Sequence, residues 1–279
     1  LECLASLELQ TIKPFEVVIT DDSIGSNIGE FIEKIESDYS FPIRYLTNHT
    51  AQGIAANSNF GIHTTKGEIV HVLHQDDFIL SPHLYADVGI FFLNSEISWA
   101  LVGNSSHHLR GRIALDKTLC LGFNNIGGPS ALFFRKSVGV VYDEAFSLLV
   151  DVVLMEDLRR LCGEPFFMPG RQVHLRVGDH QHQHQISADE TRVEVRQAIK
   201  RFGFSVDSVR EIRRNIGNFP LQKITYSELC AENYISHIRK MYLTTEGFLC
   251  YSFRRLLVTA SSPVKKVLSV FLQPLRTKS

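Results

Sequence analysis

Between residues 15 and 77 the chain alternates short apolar runs of strand length with segments of helical spacing, and each run stops at polar residues. Phe15-Glu-Val-Val-Ile-Thr20 is β-rich and ends at Asp21-Asp22-Ser23-Ile24-Gly25, after which Ile28, Phe31, Ile32 and Ile35 recur at helical intervals. The unit repeats as Ile43 to Thr47, a loop from Asn48 to Gly53, a helical stretch from Ile54 to Thr65, and a run from Glu68 to His74 that ends at Gln75-Asp76-Asp77. Such alternation predicts an α/β fold: a Rossmann-like, mostly parallel sheet with helices on both faces and ligands at the carboxyl ends of the strands. Both acidic pairs lie at those ends.

After residue 95 the pattern changes to short strands with glycine-rich turns, Trp99 to Gly103 and, after Gly127-Gly128-Pro129, Ser130 to Phe134. A helix is expected over Val152 to Cys162, and beyond Ser187 the chain reads as mostly helical. The economical division is an α/β domain over 1–190 and a helical C-terminal extension over 191–279. With 44% hydrophobic residues in 279, the chain can bury a large core without staples. Lys+Arg 29 against Asp+Glu 30 leaves a formal charge of −1, which argues against nucleic acid as a partner. Five cysteines without a Cys-x-x-Cys pair suggest neither a disulfide framework nor a zinc knuckle, and fit a reducing, cytoplasmic setting. The richest apolar stretch, Ala145 to Met155, is interrupted by Asp151, so no transmembrane helix is expected. The start at Leu1, with no leader, reads as a cut at the front of a longer chain.

Two carboxylates side by side after a buried strand are hard oxygen ligands suited to Mg²⁺ or Mn²⁺ bridging a diphosphate. The alternative for Asp76-Asp77 is a turn that closes the strand before a helix capped at Ser81-Pro82.

Six segments, in order, resemble the family 2 glycosyltransferases of the GT-A fold. They are Ser6 to Thr11 with the strand ending in Asp21-Asp22-Ser23; Gly53 to Ile62 followed by Lys66-Gly67-Glu68; His74-Gln-Asp76-Asp77 with Pro82; Gly127 to Arg135; Glu156-Asp157-Leu-Arg-Arg-Leu161; and His182-Gln-His-Gln185-Ile-Ser187. The resemblance covers most of the first 190 residues and implies transfer of a sugar from a nucleoside-diphosphate sugar to a saccharide or lipid-linked acceptor hydroxyl, with inversion, in bacterial surface-polysaccharide assembly. It further implies that Asp22 holds the nucleotide base, with Ser23, Gly53 and Asn59 around the donor. Asp76 would contact the ribose or the metal, Asp77 would ligate Mg²⁺ or Mn²⁺, His182 would lie near the donor phosphates, and Asp157 would act as general base. The family's first strand is expected before Leu1. Ser58 and Ile24 depart from the family's usual arginine and glycine.

Each role has a plainer alternative. Asp157 could be a helix-face carboxylate paired with Arg159 or Arg160. His180, His182 and His184 alternate as a strand would place them, or form an exposed loop. The last turns carry Arg254, Arg255, Lys265, Lys266, Arg276 and Lys278 beside an apolar stripe. That stripe suits peripheral contact of residues 254–279 with the inner face of the plasma membrane, or docking on protein. Competing functions are a nucleotidyltransferase and a non-catalytic, degenerate GT-A subunit.

Overall fold

A computed structural model describes residues 1–25, 27–48, 52–105, 128–176 and 187–202. His182 and its neighbouring histidines, Gly127, and the basic tail lie outside the described residues.

The elements follow the expected order. Helix α1 (Glu2–Glu8) leads to strand β1 (Val17–Asp21), helix α2 (Ile28–Ile35), strand β2 (Ile43–Thr47), helix α3 (Ile54–Thr64), strand β3 (Ile69–His71), strand β4 (Phe78–Ile79) and helix α4 (Leu84–Phe92). Strands β5 (Trp99–Asn104) and β6 (Leu132–Arg135), helix α5 (Val150–Cys162), strand β7 (Phe166–His174) and helix α6 (Ala188–Phe202) complete the described chain. Ser187 and Glu190 bond reciprocally at the start of α6, a capping box that explains why the helix begins there. Helix α6 therefore runs across residue 190.

The α/β class is the expected one, but the strand pairing corrects one expectation: the sheet is mixed, not mostly parallel. β1 and β2 form a separate two-stranded parallel sheet, with Val17 opposite Ile43 and Asp21 opposite Thr47. The larger sheet has the order β3-β6-β5-β7-β4, and only β5 with β7 is parallel; β3 with β6, β6 with β5, and β7 with β4 are antiparallel. The regular βα rhythm ends at β3, and three of the four pairings in the larger sheet are antiparallel.

A bulge sets the functional end of this sheet. A Cβ on Gly103 would fall 1.8 Å from the Gly170 carbonyl oxygen, and Gly170 itself has φ +99°, so both positions require glycine. Across the register shift β7 stays paired with β5, through Phe166 to Met168 and again at Val173 opposite Asn104, and its end pairs on the other side with β4 through Val173 and His174. The strand's exit is thereby laid beside Asp77.

The core forms where faces of helical period meet the sheet. Leu84, Val88 and Phe92 are the buried side of α4, and Val150, Val153, Leu154 and Leu158 that of α5. β5 is buried along its whole length, and its Trp99 donates to the Gly163 carbonyl at 2.9 Å. Each such side chain contributes about 1.5–3 kcal/mol by leaving water. Gln10 fastens α1 to this body: it donates to the Ser81 carbonyl at 2.9 Å and accepts from the Tyr85 amide at 3.2 Å. Among the described residues no helix is long and apolar enough to cross a membrane, and Cys3 and Cys162 are free thiols.

Candidate functional site

The turn between β3 and β4 gathers His74, Asp76 and Asp77, whose potential ligand atoms all lie within 4.8 Å of one another. Asp77 is buried, and each of its oxygens already has one donor: the Ser130 hydroxyl reaches Oδ2 at 2.5 Å and the Arg176 amide reaches Oδ1 at 2.9 Å. A carboxylate oxygen offers two lone pairs, so each keeps one for a cation. Burial pushes the Asp77 pKa above the ordinary aspartate value, and the Asp76 charge adds to this; the Ser130 and Arg176 hydrogen bonds and His74 oppose it. Two hard carboxylate oxygens beside an imidazole make a donor set that fits Mn²⁺ or Mg²⁺.

Ser130 is completely buried and holds the turn at both ends, since its hydroxyl also accepts from the His74 amide at 3.0 Å. Behind it, His71 Nε2 lies 2.9 Å from the Ser130 carbonyl and Nδ1 lies 3.0 Å from the Tyr85 hydroxyl. The ring stacks on Phe133 with 4.0 Å between centroids. Burial lowers the His71 pKa to about 4, so this imidazole is neutral; Nε2 donates to the carbonyl and Nδ1 accepts.

At the ends of β1 and β2 the two aspartates divide their work. Asp21 is buried and accepts from the Tyr45 hydroxyl at 2.6 Å and the Ser23 amide at 2.8 Å, so it shapes the loop. Asp22 turns toward α3 and accepts from the Gln52 amide at 2.9 Å and the Gly53 amide at 2.7 Å. Gly53 precedes α3 with φ +90°, and the space where its Cβ would stand is open. The structure thus brings Asp22, Ser23 and Gly53 to one end of the small sheet. Asn59 is engaged elsewhere. Its amide donates to the Tyr142 carbonyl at 2.9 Å and to Glu144 at 3.2 Å, and its oxygen accepts from the Tyr142 amide at 2.7 Å, so α3 is strapped to the segment before α5.

Helix α5 carries three acidic residues in two environments. Asp157 bonds the Arg201 guanidinium of α6 at 2.5 Å, and Arg201 also pairs with Asp143. Burial raises the Asp157 pKa, with Asp143 and Glu156 adding to the rise and Arg201 opposing it. Glu156 is buried and bracketed by Arg159 and Arg160, at 2.8 and 2.6 Å. Asp151 sits in the first turn, which begins two residues earlier than the apolar pattern predicted. Its Oδ1 is enclosed and has no hydrogen-bond partner among the described residues; the nearby Tyr142 hydroxyl is enclosed and unpartnered as well. Burial raises the Asp151 pKa to about 6, against a pull from His74. Asp157 lies six residues further, about 9 Å along the axis and two-thirds of a turn from facing the same way.

Sequence reasoning placed Asp22 and Ser23 after a strand, Gly53 at the end of a loop before a helix, and Asp76 and Asp77 at the end of the third strand; the first three are found so, whereas Asp76 and Asp77 lie in the turn that leads into β4. It gave no role to His74, Ser130 or Asp151. For Asp151 a signal was present, a charged residue interrupting an apolar run where a helix starts.

Comparison with known proteins identifies this arrangement. Residues 1–88 match glycosyl transferase family 2. An uncharacterized glycosyltransferase of Haemophilus influenzae is 39% identical over 176 residues, which cover 60% of this chain and 58% of that protein. The matched stretch therefore spans less than two thirds of that relative. Among solved structures, S. aureus TarS 1-349 in complex with UDP-GlcNAc superposes with a TM-score of 0.58 at 14% identity, over 81% of this chain and 72% of that one. The mannosyltransferase PcManGT from Pyrobaculum calidifontis, in complex with GDP-Man and Mn²⁺, gives 0.59 at 12% identity over 99% and 77%. The first 88 residues thus resemble the family 2 glycosyltransferases, and the fold is the GT-A fold.

Proposed function

We propose that the protein transfers a sugar from a nucleoside-diphosphate sugar to an acceptor hydroxyl in a single inverting displacement, with Asp151 rather than Asp157 as the proton acceptor. The observation that carries this reading is the pairing of a cation-binding turn with a buried, unpartnered carboxylate close enough to His74 to feel its charge. Inverting transfer needs a base for the incoming hydroxyl and a stabilised diphosphate on the opposite side. A pKa of about 6 leaves Asp151 ionised at neutral pH yet more basic than an ordinary aspartate. Asp157 has its carboxylate committed to Arg201.

In this mechanism the Asp151 carboxylate takes the proton of the acceptor hydroxyl as that oxygen bonds the anomeric carbon. The bond from that carbon to the diphosphate oxygen breaks, and the electron pair leaves with the nucleoside diphosphate. Mg²⁺ or Mn²⁺ held by His74, Asp76 and Asp77 would neutralise the charge that develops on the leaving diphosphate. The nucleoside would lie at the carboxyl ends of β1 and β2. Asp22 there, already fixed by two amides, keeps lone pairs for a base N–H or a ribose hydroxyl. The UDP-GlcNAc and GDP-Man complexes of the structural neighbours support a donor of this class. Asn59 contributes by strapping α3 to the Tyr142 segment. The test is calorimetric titration of UDP, GDP, dTDP and CDP with and without Mn²⁺, on the wild type and Asp77→Ala. Metal-dependent binding of one nucleotide, lost in the variant, is expected; binding of none by folded protein would leave a degenerate subunit.

A further inference from the structure

Among the described residues, helix α6 reaches the start of α5 through Glu194. Glu194, 7% exposed, accepts hydrogen bonds from three successive amides: Ser147 at 2.7 Å, Leu148 at 2.8 and 3.1 Å to its two oxygens, and Leu149 at 2.9 Å. Such N–H groups at a helix start lack partners within the helix, and Leu149, the cap residue, supplies no side-chain acceptor. A carboxylate is the complement of three converging N–H dipoles at a helix N-terminus. Two residues beyond Leu149 stands Asp151.

We propose that Glu194 is the positioning residue for Asp151. By pinning the 147–149 amides it fixes the rotation and start of α5, so that the Asp151 carboxylate is held toward the His74 side and away from the arginines that bind Glu156 and Asp157. This rests on the reading of Asp151 as the proton acceptor. It makes α6 part of the catalytic unit. A bare docking role would be shared with the other contacts of α6, namely Arg160 donating to the Phe202 carbonyl at 2.6 Å and Arg201 bonding Asp157. Those contacts hold the back of α5 and leave its first turn untouched.

The experiment compares Glu194→Ala with Arg201→Ala, measuring kcat, donor KM and amide hydrogen exchange across residues 147–153. Glu194→Ala is expected to lower kcat about 100-fold, the scale of an ångström-sized misplacement of a reacting group. Donor KM should stay within about twofold, because the donor is held by other elements. The 147–149 amides should lose protection. Added acetate, a free carboxylate that can refill the three-amide nest, should restore part of both the rate and the protection. Arg201→Ala should keep kcat within about threefold, as an exposed ion pair contributes little. Wild-type kcat in Glu194→Ala, or equal losses in the two variants without acetate rescue, would overturn the proposal. Wild-type kcat in Asp151→Asn would overturn the base assignment and this proposal with it. That failure is recognisable, because the amides would still depend on Glu194 for protection.

Discussion

The two ends of α5 offer the same chemical group in opposite settings. Near its C-terminal end, Glu156 and Asp157 stand among Arg159, Arg160 and Arg201, and every carboxylate there has a guanidinium partner. In its first turn, Asp151 has, among the described residues, no ion-pair partner and one oxygen without a hydrogen bond, in a place where burial penalises its charge. The lesson is one of energetic purpose. The paired carboxylates help hold helices together, whereas an enclosed, unpaired carboxylate costs stability and is retained where its basicity is useful.

The sharpest way to break this contrast is to neutralise each aspartate in turn. Asp151→Asn should lower kcat by between about 100- and 10,000-fold, the range for loss of a general base. Asp157→Asn should change it only a few-fold. Sugar transfer by the wild type should fall as pH drops through about 6, where Asp151 takes up its proton, and Asp157→Asn should keep that limb. A larger loss in Asp157→Asn than in Asp151→Asn would return the base to the position the sequence motif favoured.

A second effect sets the metal side against the base side. Ser130→Ala removes the donor that orients Asp77 and the acceptor that holds the His74 amide. Mn²⁺ affinity should weaken about 10- to 100-fold, as for other hydroxyls that orient metal ligands, while Ser130→Thr should retain most of it. An unchanged Mn²⁺ isotherm in Ser130→Ala would remove this hydroxyl from the metal site.

The smallest effects are on stability, and here the two aspartates should differ in size above neutral pH. The folded pKa of Asp151, about 6, exceeds the ordinary 3.8. Its favourable contribution is therefore complete below the unfolded value and is lost as pH rises through about 6. Asp151→Asn removes the buried charge and should raise stability at pH 8 by up to about 3 kcal/mol. Near pH 4 it should change little. Asp157→Asn, where loss of the partly exposed Arg201 pair is offset by relief of a burial-raised pKa, should change stability by no more than about 1 kcal/mol. Thermal melts at the two pH values decide both.

Much of this molecule is determined by local pattern. Period-two and period-3.6 apolar spacing placed β1, β2, α2 and α3 within a residue or two, and the strand-ending aspartates marked the carboxyl end of the sheet as the site. Asp76 and Asp77 stood out by their position and by the company of the other family-like segments, since adjacent acids after a strand are common as turns. What local pattern cannot carry is the choice among identical side chains. Glu156-Asp157 stands out in the sequence by its motif, and Arg159 and Arg160 lie within helical reach of Glu156, but only the arrival of α6 brings Arg201 to Asp157 and Glu194 to the amides before α5. Strand direction beyond β3 was equally beyond reach, since the Gly103–Gly170 approach that lets β7 serve two neighbours joins residues 67 positions apart. The sequence by itself determined the α/β frame and set Asp76 beside Asp77 ahead of β4, because both follow from local pattern, whereas the hold of Ser130 and Arg176 on Asp77 is tertiary. Tertiary structure alone decided the paired and unpaired acids, because burial and charge compensation depend on what the rest of the chain brings alongside.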